Sequence, residues 1–279
     1  MFFTRAIVFI LLALAQPSIG KEKVTGTIKS LELVVCLDVS NSMDVKDMDG
    51  SESRLTTSKR AMNDLINRLS GEKIGICVFA GTSFVQLPLT NDYEAAKLFI
   101  EEVNTNLISQ QGTNICSALG TAEKMFSPVT GGKAILLITD GEDHDGNAIG
   151  SVRSLSDKSI ELHVLGVGSK KGGPLLVDAR RPELGYRKSD KGQVLISKID
   201  PNLIEKLATA ANGSYLLSSS AYPSVQQVLT EINQIQRTNL RDLAFEVRSN
   251  NYRIPLGAAL LCFLALLILN YMEQKNLTK

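Results

Sequence analysis

From residue 31 to residue 235, apolar runs of five to eight residues alternate with amphipathic stretches, which predicts strands interleaved with helices. Leu31 to Leu37 (LELVVCL) is apolar almost throughout, as expected of a strand covered on both faces. Ser53 to Leu69 places Leu55, Met62, Leu65, Ile66 and Leu69 on one helical face. Further strands are expected at Ile74 to Phe79, Val85 to Leu87 (a short edge), Lys133 to Thr139, Ile160 to Val167 and Gly213 to Leu217. Further helices are expected at Tyr93 to Val103, Asn114 to Phe126, Ala148 to Ser156, Pro201 to Ala211 and Ala221 to Ile235. Gly172 to Val194 breaks the pattern with Gly, Pro and charge, and is expected to form an extended hairpin ending in VLIS, Val194 to Ser197. The fold class is therefore α/β: a doubly wound, mostly parallel sheet with helices on both faces, plus a C-terminal transmembrane helix.

That last element comes from the ends of the chain. Ile254 to Met272 carries no charge and is flanked by Arg253, Glu273 and Lys275, with Tyr252 and Tyr271 where interfacial aromatics belong. Ala6 to Ala15 follows Arg5 and precedes small residues, so 1–20 reads as a signal peptide or, left uncleaved, an N-terminal anchor. The expected organisation is a folded domain at 24–236, a polar tether at 237–251 and a membrane helix at 254–272, in an inner or plasma membrane, single- or two-pass. Either reading of the start puts the domain on the non-cytoplasmic side.

Lys plus Arg number 30 and Asp plus Glu 29, a balance that offers no field for nucleic acid. A local basic stretch, from Lys170 and Lys171 through Arg180, Arg181, Arg187 and Lys188 to Lys191, is read as solvated loop charge. The four cysteines sit in apolar contexts and read as small core residues. Cys36 and Cys77 lie on strands that could be neighbours, so an exported domain could bridge them.

In open α/β sheets the ligand site lies beyond the carboxyl ends of the strands, where strand order reverses. Asp38 ends the first strand in VCLDVSNSMD, with Ser40 and Ser42 at alternate positions after it. Thr113 lies in a second loop before a helix, and Asp140 ends KAILLIT. Asp38, Ser40, Ser42, Thr113 and Asp140 then offer oxygen alone, a donor set that selects Mg²⁺, with Mn²⁺ or Ca²⁺ as substitutes.

DVSNS, QGTN and ITDGED resemble the three parts of the adhesion site of von Willebrand factor type A (VWA) domains, over about Leu31 to Leu217. SRLTTSKRAM, FAGTSFVQLPLTNDYEAAK, LLITDGEDHDG and VGVGS make the chain similar to bacterial aerotolerance-operon (Bat-type) membrane proteins. The resemblance implies a metal-dependent interaction module, in which a partner's Asp or Glu completes the metal shell and the two aspartates act largely through water. It also implies other VWA membrane proteins as partners and, indirectly, a MoxR-type ATPase.

Other readings are weaker. Asp44, Asp47 and Asp49 suggest a calcium loop, but Val45 and Thr56 stand where ligands are required. A Mg²⁺-dependent phosphatase also begins with a strand ending in Asp, yet Ser40 replaces the acid that would protonate its leaving group. His163 lies inside a strand, and neither His has a nucleophile motif, so no enzymatic activity is expected. A structural scaffold with a non-functional metal site is the remaining alternative.

Overall fold

The computed structural model describes the backbone of residues 18–25, 31–128, 131–143, 148–238, 244–250 and 253–277, together with residues 7, 8, 10, 11 and 14. Side chains are described for these residues apart from 18–25, 233–250, 253–255 and 269–277. In chain order the strands are β1 (Ser18–Thr25), β2 (Leu31–Asp38), β3 (Lys73–Phe79), β4 (Ser83–Thr90), β5 (Gly132–Thr139), β6 (Ile160–Val167), β7 (Gly173–Pro174), β8 (Ile196–Ser197), β9 (Tyr215–Ser218) and β10 (Ala244–Asn250). The α-helices are α1 (Arg54–Arg68), α2 (Tyr93–Glu102), α3 (Ile115–Met125), α4 (Ala148–Asp157), α5 (Pro201–Ala210), α6 (Gln226–Thr238) and α7 (Arg253–Leu277).

The chain divides into two compact units, residues 29–240 and the two ends, 1–28 with 241–279. In the larger unit six strands form one sheet in the order β4-β3-β2-β5-β6-β9. Every pairing is parallel except β3 with β4. Successive side chains of a strand point to opposite faces, so Leu33, Val35 and Leu37 join a core with α1, α2 and α6, whereas Val34 and Cys36 join a second core with α3, α4 and α5. All eight residues of β2 are buried, which is why its sequence shows no polar alternation. Cys36 and Cys77 are register partners across β2 and β3. Both are free, buried thiols, as read for core cysteines, and the bridge that an exported domain could form is absent.

The expected elements of the domain are present with shifted ends. The short edge strand is longer, Ser83–Thr90, and the last helix starts at Gln226 rather than Ala221. The expected hairpin is a small ribbon in which β7 pairs with β8 and the intervening segment bridges both arms through Leu176 with Tyr186 and Lys188 with Val194.

In the smaller unit β1 pairs antiparallel with β10, from Ser18 opposite Asn250 to Thr25 opposite Ala244. The tether therefore contains a strand, and residues 24 and 25, assigned from sequence to the start of the domain, belong to this ribbon. Long-range pairing of two polar segments has no local pattern to announce it. The proposed leader falls mostly on residues outside those described. The C-terminal helix is present as α7. Among the described residues, no helix is long and apolar enough to cross a membrane.

Candidate functional site

Strand order reverses between β2 and β5, because the chain leaves β2 for β3 on one side and returns to β5 on the other. Asp38 and Thr139 end these two strands, and both side chains are fully buried, as is that of Asp140. Thr139 Oγ1 donates to Asp38 Oδ2 at 2.7 Å, and the Ser40 amide donates to Asp38 Oδ1 at 2.9 Å. The Ser40 and Ser42 hydroxyl oxygens lie 2.9 Å apart. Alternate positions in this loop thus turn both hydroxyls to the same place.

Thr113 is buried in the second loop. Asn114 follows it and caps α3 by accepting from the Ser117 amide at 2.8 Å, which fixes where the loop stops. Gln111 joins this loop to the first: its Oε1 accepts from the Asn41 amide at 3.0 Å, while its Nε2 donates to the Thr105 and Ile108 carbonyls. Asp44 of the first loop also accepts from Thr105 Oγ1, at 2.6 Å.

Asp140 Oδ1 accepts from the Glu142 amide at 3.2 Å, and Oδ2 accepts from Arg54 Nη1 at 2.6 Å. Arg54 opens α1 and is completely buried. Its Nε and Nη2 donate to the two oxygens of Asp47 at 2.9 and 2.7 Å, and it also reaches the Ser197 hydroxyl and carbonyl. Asp47 in turn accepts from Ser169 N and Oγ, and Ser197 Oγ donates to Glu142 Oε1. One guanidinium therefore holds together the loop after β2, the end of β5 and the base of the ribbon.

Burial alone would raise Asp47, but the bonds from Arg54 and Ser169 outweigh it and hold the carboxyl below its usual range. Burial would likewise lower Arg54, and Asp47 and Asp140 raise it instead. Asp38 has no such partner. Burial and then the charge of Asp140 push its carboxyl up to about 7, against the opposing bonds from Ser40 and Thr139.

This charge balance tests the fit of a cation. Asp47 and Asp140 share the one Arg54 guanidinium and the buried Asp38 has no cationic partner, so the cluster has negative charge in excess when all three are ionised. A divalent cation bound by oxygens would relieve it. Among the described residues no group of three or more His, Cys, Asp or Glu side chains is placed to hold a metal ion. A cation at this edge would thus depend on hydroxyls as much as on carboxylates, as the donor set Asp38, Ser40, Ser42, Thr113 and Asp140 requires.

Sequence reasoning missed Arg54, Asp47, Gln111 and Ser197 as site residues, and read Thr139 only as the end of its strand. Asp47 appeared only in a rejected calcium loop, and Arg54 only within the SRLTTSKRAM stretch at the start of a helix, where a charged residue ordinarily faces water. His144 and Asp145, which follow the site in ITDGEDHD, lie outside the described residues. His163 is structural: it is buried in β6, and its Nδ1 lies 2.9 Å from Ser214 Oγ.

The von Willebrand factor type A domain family matches residues 33–142. The crystal structure of BatB from Bacteroides thetaiotaomicron superposes with a TM-score of 0.68 at 35% identity, covering 74% of this chain and 99% of that one. An aerotolerance-related membrane protein from Bacteroides fragilis gives the same TM-score and identity over 73% of this chain and 99% of its own. The chain belongs to the von Willebrand factor type A domain proteins, and within them it resembles these BatB-like, aerotolerance-related members. A curated relative from Mycolicibacterium vanbaalenii, a UPF0353 protein, is 23% identical over 72% of this chain. The chain spans 59% of that relative's length.

Proposed function

We propose that this VWA domain is a membrane-anchored, metal-dependent interaction module that binds a carboxylate of a partner protein through Mg²⁺. VWA domains mediate protein interactions, and the observation that carries the finer reading is the convergence of Ser40 and Ser42 hydroxyls beside Asp38 at the strand switch point. Ser40, Ser42 and Thr113 would hold the ion directly. The oxygens of Asp38 and Asp140 each accept a hydrogen bond within the protein, which suits contact through water. The ion supplies a Lewis-acidic position for an incoming Asp or Glu. Neutral hydroxyls keep that position electron-poor, and Arg54 and the Glu142 amide fix the Asp140 carboxylate so that only one geometry is offered.

No enzymatic role is proposed. Ser40 occupies the place of a proton-donating acid, and its hydroxyl is paired with Ser42 rather than with a base.

The anchoring is supported by α7, where Leu256, Leu260, Leu261, Phe263, Leu267 and Ile268 are all at least half exposed, which costs free energy in water and none in lipid. Ser18 faces Asn250 in the β1–β10 ribbon, so the N-terminal apolar stretch and α7 leave that ribbon at the same end. That arrangement suits both ends entering one membrane, with the domain on the non-cytoplasmic side. Other VWA membrane proteins and, indirectly, a MoxR-type ATPase are the proposed partners.

Calorimetric titration of the wild type, Asp38→Ala and Thr113→Ala with Mg²⁺ and Mn²⁺ tests the reading, with circular dichroism as the control for folding. Asp38→Ala should abolish saturable binding, and Thr113→Ala should weaken it by about tenfold. Equal binding by all three proteins would falsify the assignment.

A further inference from the structure

The ribbon at 170–198 carries a charge unlike that of the rest of the chain. Eight Lys and Arg stand there against Asp178, Glu183 and Asp190, whereas the whole chain has 30 basic and 29 acidic residues. Outside the ribbon acidic residues are therefore in excess, and the ribbon itself carries a local excess of basic residues. Large apolar side chains are exposed in the same ribbon: Val177, Leu184, Tyr186, Val194, Leu195 and Ile196 are each at least 40% exposed. Six exposed large apolar side chains within one ribbon exceed the single scattered ones of an ordinary surface and suit a contact surface.

The ribbon is fixed to the candidate metal site at its base. Arg54 Nη1 contacts both Asp140 Oδ2 and Ser197 Oγ, and Ser197 Oγ donates to Glu142. Gly173 packs so closely on Val45 and Asp47 of the metal loop that a Cβ there would meet their side chains. Within the ribbon, the Arg187 amide donates to the Leu175 carbonyl, and the Leu195 amide donates to the Arg187 carbonyl. Buried clamps at the base and a hydrogen-bonded frame hold the surface in one shape before anything binds, which lowers the entropy cost of association.

We propose that this ribbon is a second contact surface, which holds an acidic, partly apolar segment of the partner protein beside the metal site. The inference rests on the reading that the site takes a partner carboxylate. Charge complementarity favours this occupant: a segment that delivers an Asp or Glu to the ion carries the sign that the adjacent Lys and Arg attract. The exposed Leu, Val and Tyr side chains supply the apolar contact that rim charges alone do not.

The test uses the full-length chain in detergent and a fluorescein-labelled synthetic peptide of alternating Glu and aliphatic or aromatic residues, with anisotropy as the readout. Its controls are the same peptide with Lys for Glu, and a short-chain phosphatidylglycerol. Arg180→Glu/Lys191→Glu and Leu184→Ser/Tyr186→Ser change exposed residues that make none of Arg54's hydrogen bonds. Each pair should raise the acidic peptide's Kd by about tenfold, and the first should also flatten its salt dependence. Failure of the acidic peptide to bind, equal binding of the Lys peptide, or no effect of either pair overturns the proposal. Preferential binding of the phosphatidylglycerol overturns it in favour of a lipid contact. Chelation separates the two readings. Ribbon-dependent binding that persists in chelator keeps the ribbon and removes the metal reading, whereas metal-dependent binding that ignores both pairs does the reverse.

Discussion

Arg54 Nη1 lies 2.6 Å from Asp140 Oδ2, and neither side chain has any exposure. Breaking a buried pair leaves an uncompensated charge that water cannot reach. Arg54→Met removes the counter-charge of both Asp47 and Asp140 and should destabilise the domain by about 3 kcal/mol or more in urea denaturation with chelator present. Added Mg²⁺ should recover part of that loss if the ion sits beside Asp140. A change below about 0.5 kcal/mol, the scale of an ordinary surface substitution, would remove Arg54 from the centre of this network.

Gly141 follows Asp140 at φ +83, and a Cβ there would lie 2.8 Å from the Asp200 carbonyl oxygen. The same turn carries the bond from the Asp200 amide to the Asp140 carbonyl at 2.9 Å. Gly141→Ala combines a left-handed backbone with a close contact and should cost about 2 kcal/mol. Thermal unfolding checks the stability, and Mg²⁺ titration should show weaker binding because Asp140 moves with the turn.

Burial holds the pKa of the His163 imidazole down to about 4, below its ordinary value of 6.5, with Glu161 3.7 Å from its Nε2. A histidine that is neutral when folded and charged when unfolded contributes fully above pH 6.5. That contribution is lost as pH falls towards 4, because the unfolded state then binds the extra proton. Comparison of wild type with His163→Leu at pH 7.5, 6 and 5 should show the wild type alone losing up to about 2 kcal/mol from this source. Parallel pH profiles for the two proteins would place the dependence elsewhere, for instance at Asp38.

Residues 29–240 form one compact unit with both cores inside it. A fragment with these ends should be soluble and unfold cooperatively in the presence of chelator, since its stability comes from apolar burial. Circular dichroism and urea titration check this. Unfolding on chelation would instead make the metal site structural.

The strand and helix order of the domain and the residues of its carboxyl edge were legible in the chain alone. These signals are local: a buried strand is an unbroken apolar run, and the first polar residue after it, Asp38 or Asp140, must sit where the strand leaves the core. Ser40 and Ser42 follow from their spacing in one loop, and Thr113 from its place before a helix cap. Only the tertiary structure decided what these groups face. Arg54 reads as an exposed first-turn residue, and nothing near it in the chain shows that Asp47, Asp140 and Ser197 close around it. The same holds for Gln111 on Asn41, for β1 on β10, and for the ribbon whose charges read as solvated loop. Pairing across long sequence separations depends on how the sheet orders its strands, and that order is set by the packing of two whole cores rather than by any local pattern.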